Sequence, residues 1–270
     1  MSLQNKITGL REGWAFDNRL WLAFTKIFFR RENLQVYRYK GLDILTDHEG
    51  GDANGARDVL TSQMYRRFLP KMNLSGPANI LDLGANNGGF PLLLASCGVA
   101  MKKVVSVEFN PRTFTRLHFN LTRNLDCEGT PLNAALCGES GVLELSLGSG
   151  SVSDNIYSKS KSSDLKTFTI QGLTLDQLYD TYFKDEVIDI CKIDVEEAEY
   201  DVFLNLSHQK LTQCRYLIME IHERNGRRSE EIIPIIESLG FLRHTPDPNA
   251  DPSVHFFSNL ILLDLISSDY

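Results

Sequence analysis

The sequence of 270 residues lacks the features that mark membrane-spanning, secreted and metal-stapled proteins. No run of about 18 apolar residues occurs, so no membrane-spanning helix is predicted. The N-terminus shows no signal-peptide pattern. The five cysteines are odd in number and no two are spaced as CxxC, which disfavours a disulfide framework or a zinc site. We therefore expect a cytoplasmic protein whose thiols are reduced.

Positive charge is also scarce. The 28 Lys and Arg residues are outnumbered by 35 Asp and Glu residues, giving a formal net charge of −7. Proteins that grip a phosphate backbone usually carry a predominantly basic surface. No NPPY-like sequence follows the fourth predicted strand of the main domain. Nucleic acid is therefore not an expected partner.

Residues 1–76 are predicted to form an N-terminal extension of helices and a short hairpin, which could serve as a lid or a dimer element. Residues 77–270 are predicted to form the main domain, with a Ser-rich loop at 147–164. The simplest interpretation of an amphipathic helix in the extension is packing on the main domain; contact with a membrane surface or with a second copy, giving a homodimer, stays open. This helix is predicted by large apolar residues at helical spacing: Trp14, Trp21, Phe24, Ile27 and Phe28.

Short apolar strands alternate with helical stretches throughout the main domain. This alternation predicts an α/β fold with a doubly wound, mainly parallel, seven-stranded sheet, in which ligands bind beyond the carboxyl ends of the strands. Helices are predicted at 56–69, ended by Pro70, and at 196–206. Strands are predicted at 79–83, 104–108, 132–136, 187–193, 216–221, 241–244 and 255–263, with an added hairpin of 142–147 and 167–170.

The strongest motif is the segment ILDLGANNGGF, which joins the first of these strands to a helix. Its glycines permit a tight turn and a close approach of the backbone to a small charged ligand. Asn86 stands where the second glycine of GxGxxG would be, and no GK[ST] follows, so neither dinucleotide nor P-loop signature is present. The next strand ends in Glu108, a residue type that accepts hydrogen bonds from ribose hydroxyls. A plain glycine-rich connection is the alternative.

The segments DLGANNGG and VEFN, together with LNAALCGESGVLEL, LTLDQL and CKIDVEEAEYDVF, resemble the FkbM family of class I S-adenosylmethionine-dependent methyltransferases. The resemblance implies a Rossmann-like methyltransferase fold over 77–270 and S-adenosyl-L-methionine as cofactor. It also implies O-methylation of a small-molecule hydroxyl acceptor, such as a saccharide or a secondary metabolite. Glu197 departs from the family pattern, which has glycine there, so the resemblance does not fix the acceptor.

The resemblance also implies which residues hold the cofactor. Glu108 would hold the ribose, and Asn133 and Ala134 would border the adenine, with Asn110 as a further contact on that side. The methionine part would be surrounded by residues of the glycine-rich segment: Asp82, Gly84, Asn86 and Gly88.

Acidic and basic side chains cluster where the fourth and fifth strands are predicted to end. Lys192 and Asp194 are two residues apart and are expected on one strand face. Glu196 and Glu199 are expected on one face of the helix that follows. Glu220 and His222 alternate onto one face of the next strand, with His222 as a possible base oriented by Glu220. These residues, except Glu199, are the predicted catalytic group.

Three alternatives remain open at this point. The acids at the start of the helix could serve only to stabilise the helix dipole, and His222 could be a partly exposed strand-end residue. Asp194, Glu220 and His222 could instead bind a divalent cation, although no HxxxH-type spacing supports a metal. Finally, the chain could be a nicotinamide-dependent oxidoreductase or a non-catalytic cofactor-binding protein.

Overall fold

The computed structural model describes residues 14–29, 33–48, 55–147, 166–196, 198–205, 208–223 and 225–267. Glu197 and nearly all of the predicted Ser-rich loop lie outside these residues. Among the described residues, no helix combines the length and apolar composition needed to cross a membrane.

The N-terminal extension contains a helix, a hairpin and two further short helices. The helix α1 (Arg19–Phe28) precedes an antiparallel hairpin of β1 (Leu34–Tyr39) and β2 (Leu42–Asp47). The short helix α2 (Ala56–Thr61) is followed by a 3₁₀ helix, Arg66–Lys71. The predicted hairpin is therefore confirmed.

The main domain is built on seven strands among the described residues. They are β3 (Ala78–Leu83), β4 (Met101–Glu108), β5 (Glu128–Asn133), β9 (Ile188–Ile193), β10 (Cys214–Glu220), β11 (Phe241–Arg243) and β12 (Val254–Asn259). A second, smaller sheet consists of β6 (Ala135–Leu136), β7 (Gly141–Leu147) and β8 (Lys166–Leu173), in the order β6-β8-β7. The predicted hairpin of 142–147 and 167–170 is the β7–β8 pair.

The order of the large sheet is β11-β12-β10-β9-β3-β4-β5. Its neighbouring strands are parallel except at β12, which is antiparallel to both β10 and β11. This confirms the predicted mainly parallel, seven-stranded sheet. The chain leaves β3 toward β4 and β5 and later returns to β9 on the other side of β3, so the strand order reverses between β3 and β9. Ligands of doubly wound sheets bind at such a reversal.

Helices cover both faces of this sheet, and both faces are apolar. Every residue of β3 and β9 is buried, as expected for central parallel strands. On one face Leu83 and Ile193 pack with residues of the helices Leu175–Tyr182 and Ala198–Leu204. On the other face Ile80 and Ile190 pack with residues of α2 and of the helix Gly89–Ser96. The helices of the main domain are α3 (Gly89–Ser96), α4 (Pro111–Asn124), α5 (Leu175–Tyr182), α6 (Ala198–Leu204), α7 (Ile233–Ser238) and α8 (Leu260–Ser267).

Three predicted elements are wrong in their extent. The predicted helix 56–69 ends at Thr61, because Ser62 is extended, and the bend allows Tyr65 to enter the core; Pro70 lies inside the 3₁₀ helix. The predicted strand 255–263 ends at Asn259, whose Oδ1 accepts the N–H groups of residues 261 and 262 and so caps α8.

The predicted strand 132–136 is divided between the two sheets, as β5 and β6. β5 begins earlier, in the polar segment EGTP, because it is an edge strand that is only partly buried. Pro131 is compatible with such an edge position because an edge strand has a side without ladder hydrogen bonds.

The hairpin is fastened to the glycine-rich turn through one asparagine of α4. Asn120 Oδ1 accepts the N–H of Leu45 at 2.7 Å, and its Nδ2 donates to the carbonyl oxygens of Leu45 at 3.1 Å and Asn87 at 2.8 Å. Asn120 is fully buried, so these bonds satisfy its polar atoms. The described part of the extension therefore contacts the region where a cofactor is expected.

The large aromatic side chains of α1 do not pack on the core, although Leu22 of the same helix does. Only a narrow strip with Leu22 and Thr25 turns inward, and the aromatic side chains are exposed. The start of the helix is held instead by Asn18, whose Nδ2 donates to the carbonyl oxygen of Val36 and whose Oδ1 accepts the N–H of Arg38.

Candidate cofactor and acceptor site

The turn after β3 packs directly against the end of β9. Gly84 has a φ of +73°, and a Cβ at this position would stand 1.6 Å from the carbonyl oxygen of Asp194. Gly88, with a φ of +91°, precedes α3, where a Cβ would lie 3.2 Å from Leu117. Glycine is therefore required at both positions by backbone conformation or packing. These contacts fix the turn at the point where the strand order reverses.

Glu108, at the tip of β4, is held by the main chain on both sides. Its Oε2 accepts the N–H of Asn86 at 2.9 Å, and its Oε1 accepts the N–H of Asn110 at 2.7 Å. Burial raises the pKa of Glu108 to about 7, although these two bonds favour the ionised form. A carboxylate offers about four acceptor positions, so this one retains the capacity to accept hydroxyl groups of a ligand.

Two of the other predicted cofactor residues lie beside Glu108. Asn133 Nδ2 donates to the carbonyl oxygens of Glu108 at 2.9 Å and Phe109 at 3.1 Å. Asn110 Oδ1 accepts the N–H of Arg112 at 3.0 Å and so caps α4, which commits that atom to the helix. Ala134 is buried and follows Asn133 directly.

Lys192 connects the glycine-rich turn with the acidic group at the end of β9. Its Nζ donates to the carbonyl oxygen of Gly84 at 3.0 Å and lies 3.4 Å from Asp82 Oδ1 and 3.3 Å from Asp194 Oδ2. Burial alone would lower the pKa of Lys192, but the charges of Asp194 and Asp82 outweigh it and raise this pKa. Burial raises the pKa of Asp82, whose side chain is fully enclosed. Lys192 is therefore a fixed cation rather than a proton acceptor.

Four acids surround the imidazole of His222. Its Nε2 lies 3.4 Å from Glu220 Oε1, 3.8 Å from Asp194 Oδ1 and 3.9 Å from Glu196 Oε1. Its Nδ1 lies 3.1 Å from Glu199 Oε1, which also accepts the main-chain N–H of His222 at 2.8 Å. Burial alone would lower the pKa of His222, but hydrogen bonds to Glu199 and Glu220 and the surrounding negative charge raise it to about 11.

The structure brings the predicted catalytic residues together, with one correction. Glu196 has a φ of +45° and precedes α6, so it does not share a helix face with Glu199. The two acids instead approach His222 from its two ring nitrogens. Backbone held in this sparsely populated region is a frequent feature of functional sites.

Tyr65 belongs to the same group and has no signal in the sequence. Its hydroxyl donates to Asp194 Oδ2 at 3.1 Å, its side chain is 1% exposed, and its ring meets Phe90 edge-on at 5.6 Å. No motif surrounds it, and it lies 129 positions before its partner, so only the folded structure identifies it.

The acidic group has the geometry to hold a cation. One ligand atom each from Asp194, Glu220 and His222 lie within 4.8 Å of one another. Carboxylate oxygens and an imidazole nitrogen are ligands that several divalent metals accept. Positive charge is already present there, because Lys192 and His222 both carry raised pKa values.

The described residues form a mainly parallel, seven-stranded sheet with a glycine-rich turn after β3 and an acid at the tip of β4. The methyltransferase FkbM of Methylobacillus flagellatus KT is similar at 15% identity and a TM-score of 0.45, over 73% of this chain but only 47% of that chain. Fibrillarin of Aeropyrum pernix, solved with natively bound S-adenosyl-L-methionine, is similar at 13% identity and a TM-score of 0.42, over 83% of this chain and 82% of that one. These likenesses concern the fold alone.

The sequence, unlike the fold, assigns the chain to a particular family. The methyltransferase FkbM domain matches residues 82–243, which is more than half of the chain, and this protein therefore belongs to the FkbM methyltransferase family. No curated protein matches the chain. The family resemblance predicted from the motifs is confirmed, and the roles of individual residues stay predictions.

Proposed function

We propose that the chain is an S-adenosylmethionine-dependent O-methyltransferase that acts on a hydroxyl group of a saccharide or a secondary metabolite. The proposal is supported by the family and by one observation above all. Lys192 contacts the glycine-rich turn, where a cofactor is expected, and Asp194, where an acceptor is expected. One buried side chain thus links the expected cofactor region with the expected acceptor region, at the point where the strand order reverses.

The predicted cofactor residues fit this group. Glu108 offers a buried, preorganised carboxylate for the ribose hydroxyls, with Asn133 and Ala134 beside it for the adenine. Bound S-adenosylmethionine would supply a methyl group on an already activated sulfonium. The methionine part would lie near the turn, against residues that the structure places there: Asp82, Gly84, Asn86 and Gly88.

Within the acidic group, Asp194 is the best candidate for contact with an acceptor. Its side chain is 26% exposed, compared with 18% for Glu196 and 16% for Glu220. Lys192 and Tyr65 hold one of its oxygens, Oδ2. An oriented carboxylate of this kind can place the hydroxyl for in-line attack, and orientation can lower a barrier by roughly 7–11 kcal/mol.

Asp194 would also receive the proton of the acceptor hydroxyl. As the oxygen–carbon bond forms and the carbon–sulfur bond breaks, the proton passes to the carboxylate. His222 does not take this role in the proposal, because a group with a pKa of about 11 is already protonated at neutral pH. His222 would instead hold Glu196, Glu199 and Glu220 together by charge.

Transfer of a labelled methyl group tests the proposal. The protein is incubated with methyl-labelled S-adenosylmethionine and hydroxyl-rich extracts, with Asp194→Asn as the matched control. We expect label in a small-molecule product for the native protein and a strong loss for the variant. Binding of S-adenosylhomocysteine without any labelled product would instead identify a non-catalytic cofactor-binding protein. Thermal stabilisation by NAD(P) and not by S-adenosylmethionine would favour an oxidoreductase.

Methyl transfer could instead be assisted by a divalent cation bound to Asp194, Glu220 and His222. The convergence of ligand atoms from these three residues favours this alternative. We propose the metal-free form, because Lys192 and His222 already supply positive charge. Treatment with a chelator should therefore leave the rate of methyl transfer unchanged. A loss of activity that Mg²⁺ or Mn²⁺ restores would establish the metal-assisted form.

A further inference from the structure

Apart from the candidate site, the exposed face of α1 is the most unusual region among the described residues. Leu20 is 80% exposed, Phe28 67%, Ile27 60% and Trp21 58%. We call the whole set the aromatic patch, which consists of Trp14, Leu20, Trp21, Phe24, Ile27, Phe28 and Phe29. Soluble surfaces commonly expose single apolar side chains, but seven large exposed ones in sixteen consecutive residues are a density that indicates a partner.

Several aromatic rings of the patch pack on one another. The rings of Trp21 and Phe24 stack at 5.7 Å, and those of Phe24 and Phe28 lie 4.6 Å apart. At about 100° per residue, positions 20, 21, 24, 27 and 28 fall on one side of the helix. Leu34 and Val36 of β1 are also exposed, at 55% and 38%.

The sequence segment that carries the patch has a net charge opposite in sign to that of the rest of the chain. Residues 14–40, which include the whole patch, contain six Lys and Arg residues and two acids, Asp17 and Glu32, for a net charge of +4. The remaining residues carry 22 basic and 33 acidic side chains, for a net charge of −11. On α1 itself, Arg19 and Lys26 are exposed, and the guanidinium of Arg19 lies 5.4 Å from the centre of the Trp14 ring.

We propose that the aromatic patch docks the protein on an anionic lipid surface. An amphipathic helix with tryptophan and phenylalanine on one face and basic residues beside it is suited to lie in the plane of a membrane interface. The basic segment would face the lipid headgroups, while the acidic remainder would be repelled from them. A second copy of the chain fits less well, because pairing two such helices would bring like charges together.

The tryptophans of this chain provide the test. The chain has only two, Trp14 and Trp21, and both belong to the patch, so tryptophan fluorescence, excited selectively to avoid the tyrosines, reports on this surface alone. Vesicles of phosphatidylcholine with about one third phosphatidylglycerol should shift the emission to the blue and sediment the full-length protein. Pure phosphatidylcholine should have a much smaller effect, and about 0.5 M NaCl should weaken the binding because it screens the lysines and arginines.

Three variants keep both tryptophans and separate the contributions. Phe24→Ser with Phe28→Ser should abolish the blue shift, and Arg19→Glu with Lys26→Glu should weaken binding to anionic vesicles at least tenfold. Phe119→Ser removes an exposed aromatic side chain on α4 and should bind as the native protein does. A thermal unfolding midpoint close to that of the native protein in all three shows that each variant is folded.

Two results would overturn the proposal. One is the absence of any blue shift with anionic vesicles. The other is a blue shift that appears without lipid as the protein concentration rises, together with a doubled mass in solution, which would assign the patch to a second copy. Neither result bears on methyl transfer, so this proposal and the proposed function fail independently.

Discussion

At the tip of β4 the carboxylate of Glu108 is held by main-chain N–H groups, whereas at the tips of β9 and β10 the acids are held by other side chains. The hydrogen-bond donors to Glu108 are the main-chain N–H groups of Asn86 in the turn and of Asn110, two positions further along the chain. Asp194 takes its partners from Lys192 and from Tyr65 in the N-terminal extension. The first arrangement forms once two adjacent βα connections are in place, and the second requires distant parts of the chain to meet.

In the proposed function, this difference corresponds to a division of labour. A site fixed by the backbone presents the same acceptors regardless of side-chain changes around it, which suits the constant part of a reaction, the cofactor. A site fixed by charged side chains can be altered by single substitutions, which suits the variable part, the acceptor. Changes on the cofactor side should therefore act on affinity, and changes on the acceptor side on turnover.

The largest effect is expected at the contact between the glycine-rich turn after β3 and the end of β9. Gly84→Ala would place a Cβ against the carbonyl oxygen of Asp194 and should lower the free energy of unfolding by at least about 3 kcal/mol. Gly98→Ala is the matched control, because Gly98 has a φ of +76° but no atom within 4 Å of an added Cβ. It should cost about 1 kcal/mol from backbone strain alone. Denaturant unfolding measures both, and equal losses would show that the turn does not depend on this contact.

Next in size is the effect of Asp194→Asn. Removing a proton acceptor should lower the turnover number about 100-fold, while the Kd for S-adenosylhomocysteine changes less than about threefold. Glu237→Gln, an exposed acid of α7, should change neither. Steady-state kinetics and calorimetric titration separate the two quantities. An unchanged turnover number would remove Asp194 from the reaction.

A smaller effect is expected from pH on the cofactor side. Because the pKa of Glu108 is raised to about 7, the carboxylate is protonated below that pH and loses its negative charge and acceptor capacity. Affinity for S-adenosylhomocysteine should fall about tenfold between pH 8 and pH 6. The raised pKa of Glu108 also affects folding, because ionising this buried carboxyl destabilises the folded state. As the pH rises from the ordinary pKa of 4.5 through 7, the folding stability should therefore fall while the affinity for S-adenosylhomocysteine rises. Glu108→Gln should bind weakly at both pH values; the same slope in this variant would assign the titration to another group.

The smallest effect should come from Tyr65→Phe. This variant keeps the ring against Phe90 and removes only the hydrogen bond to Asp194. A loss of about 1 kcal/mol corresponds to an approximately fivefold lower turnover number, with unchanged cofactor affinity. Tyr216→Phe removes another buried hydroxyl, which accepts the main-chain N–H of Asn73, and should leave turnover unchanged. Equal turnover for Tyr65→Phe and the native protein would show that Tyr65 only packs.

The same contrast explains which parts of the molecule could be predicted from the sequence. The strand rhythm, the glycine-rich turn and Glu108 lie in short segments whose pattern is set by neighbouring residues, and all three are found in the structure. Tyr65 could not be predicted, because its contact with Asp194 depends on the path of the extension across the main domain.

The predicted end of a strand was wrong where a single polar side chain determines the end. Asn259 ends β12 and caps α8, although the apolar residues that follow favour a longer strand. The outward direction of the aromatic patch was equally hidden, because an amphipathic pattern identifies a face but not its partner.

The central claim is that Glu108 and the turn beside it bind an adenosyl cofactor, and calorimetric titration with S-adenosylhomocysteine tests it most directly. The account predicts binding by the native protein, at least about tenfold weaker binding by Glu108→Ala, since a buried hydrogen bond to a charged group is lost, and native affinity for Glu128→Ala, an exposed acid of β5. Absence of binding by the native protein, or equal affinity of Glu108→Ala, would contradict it.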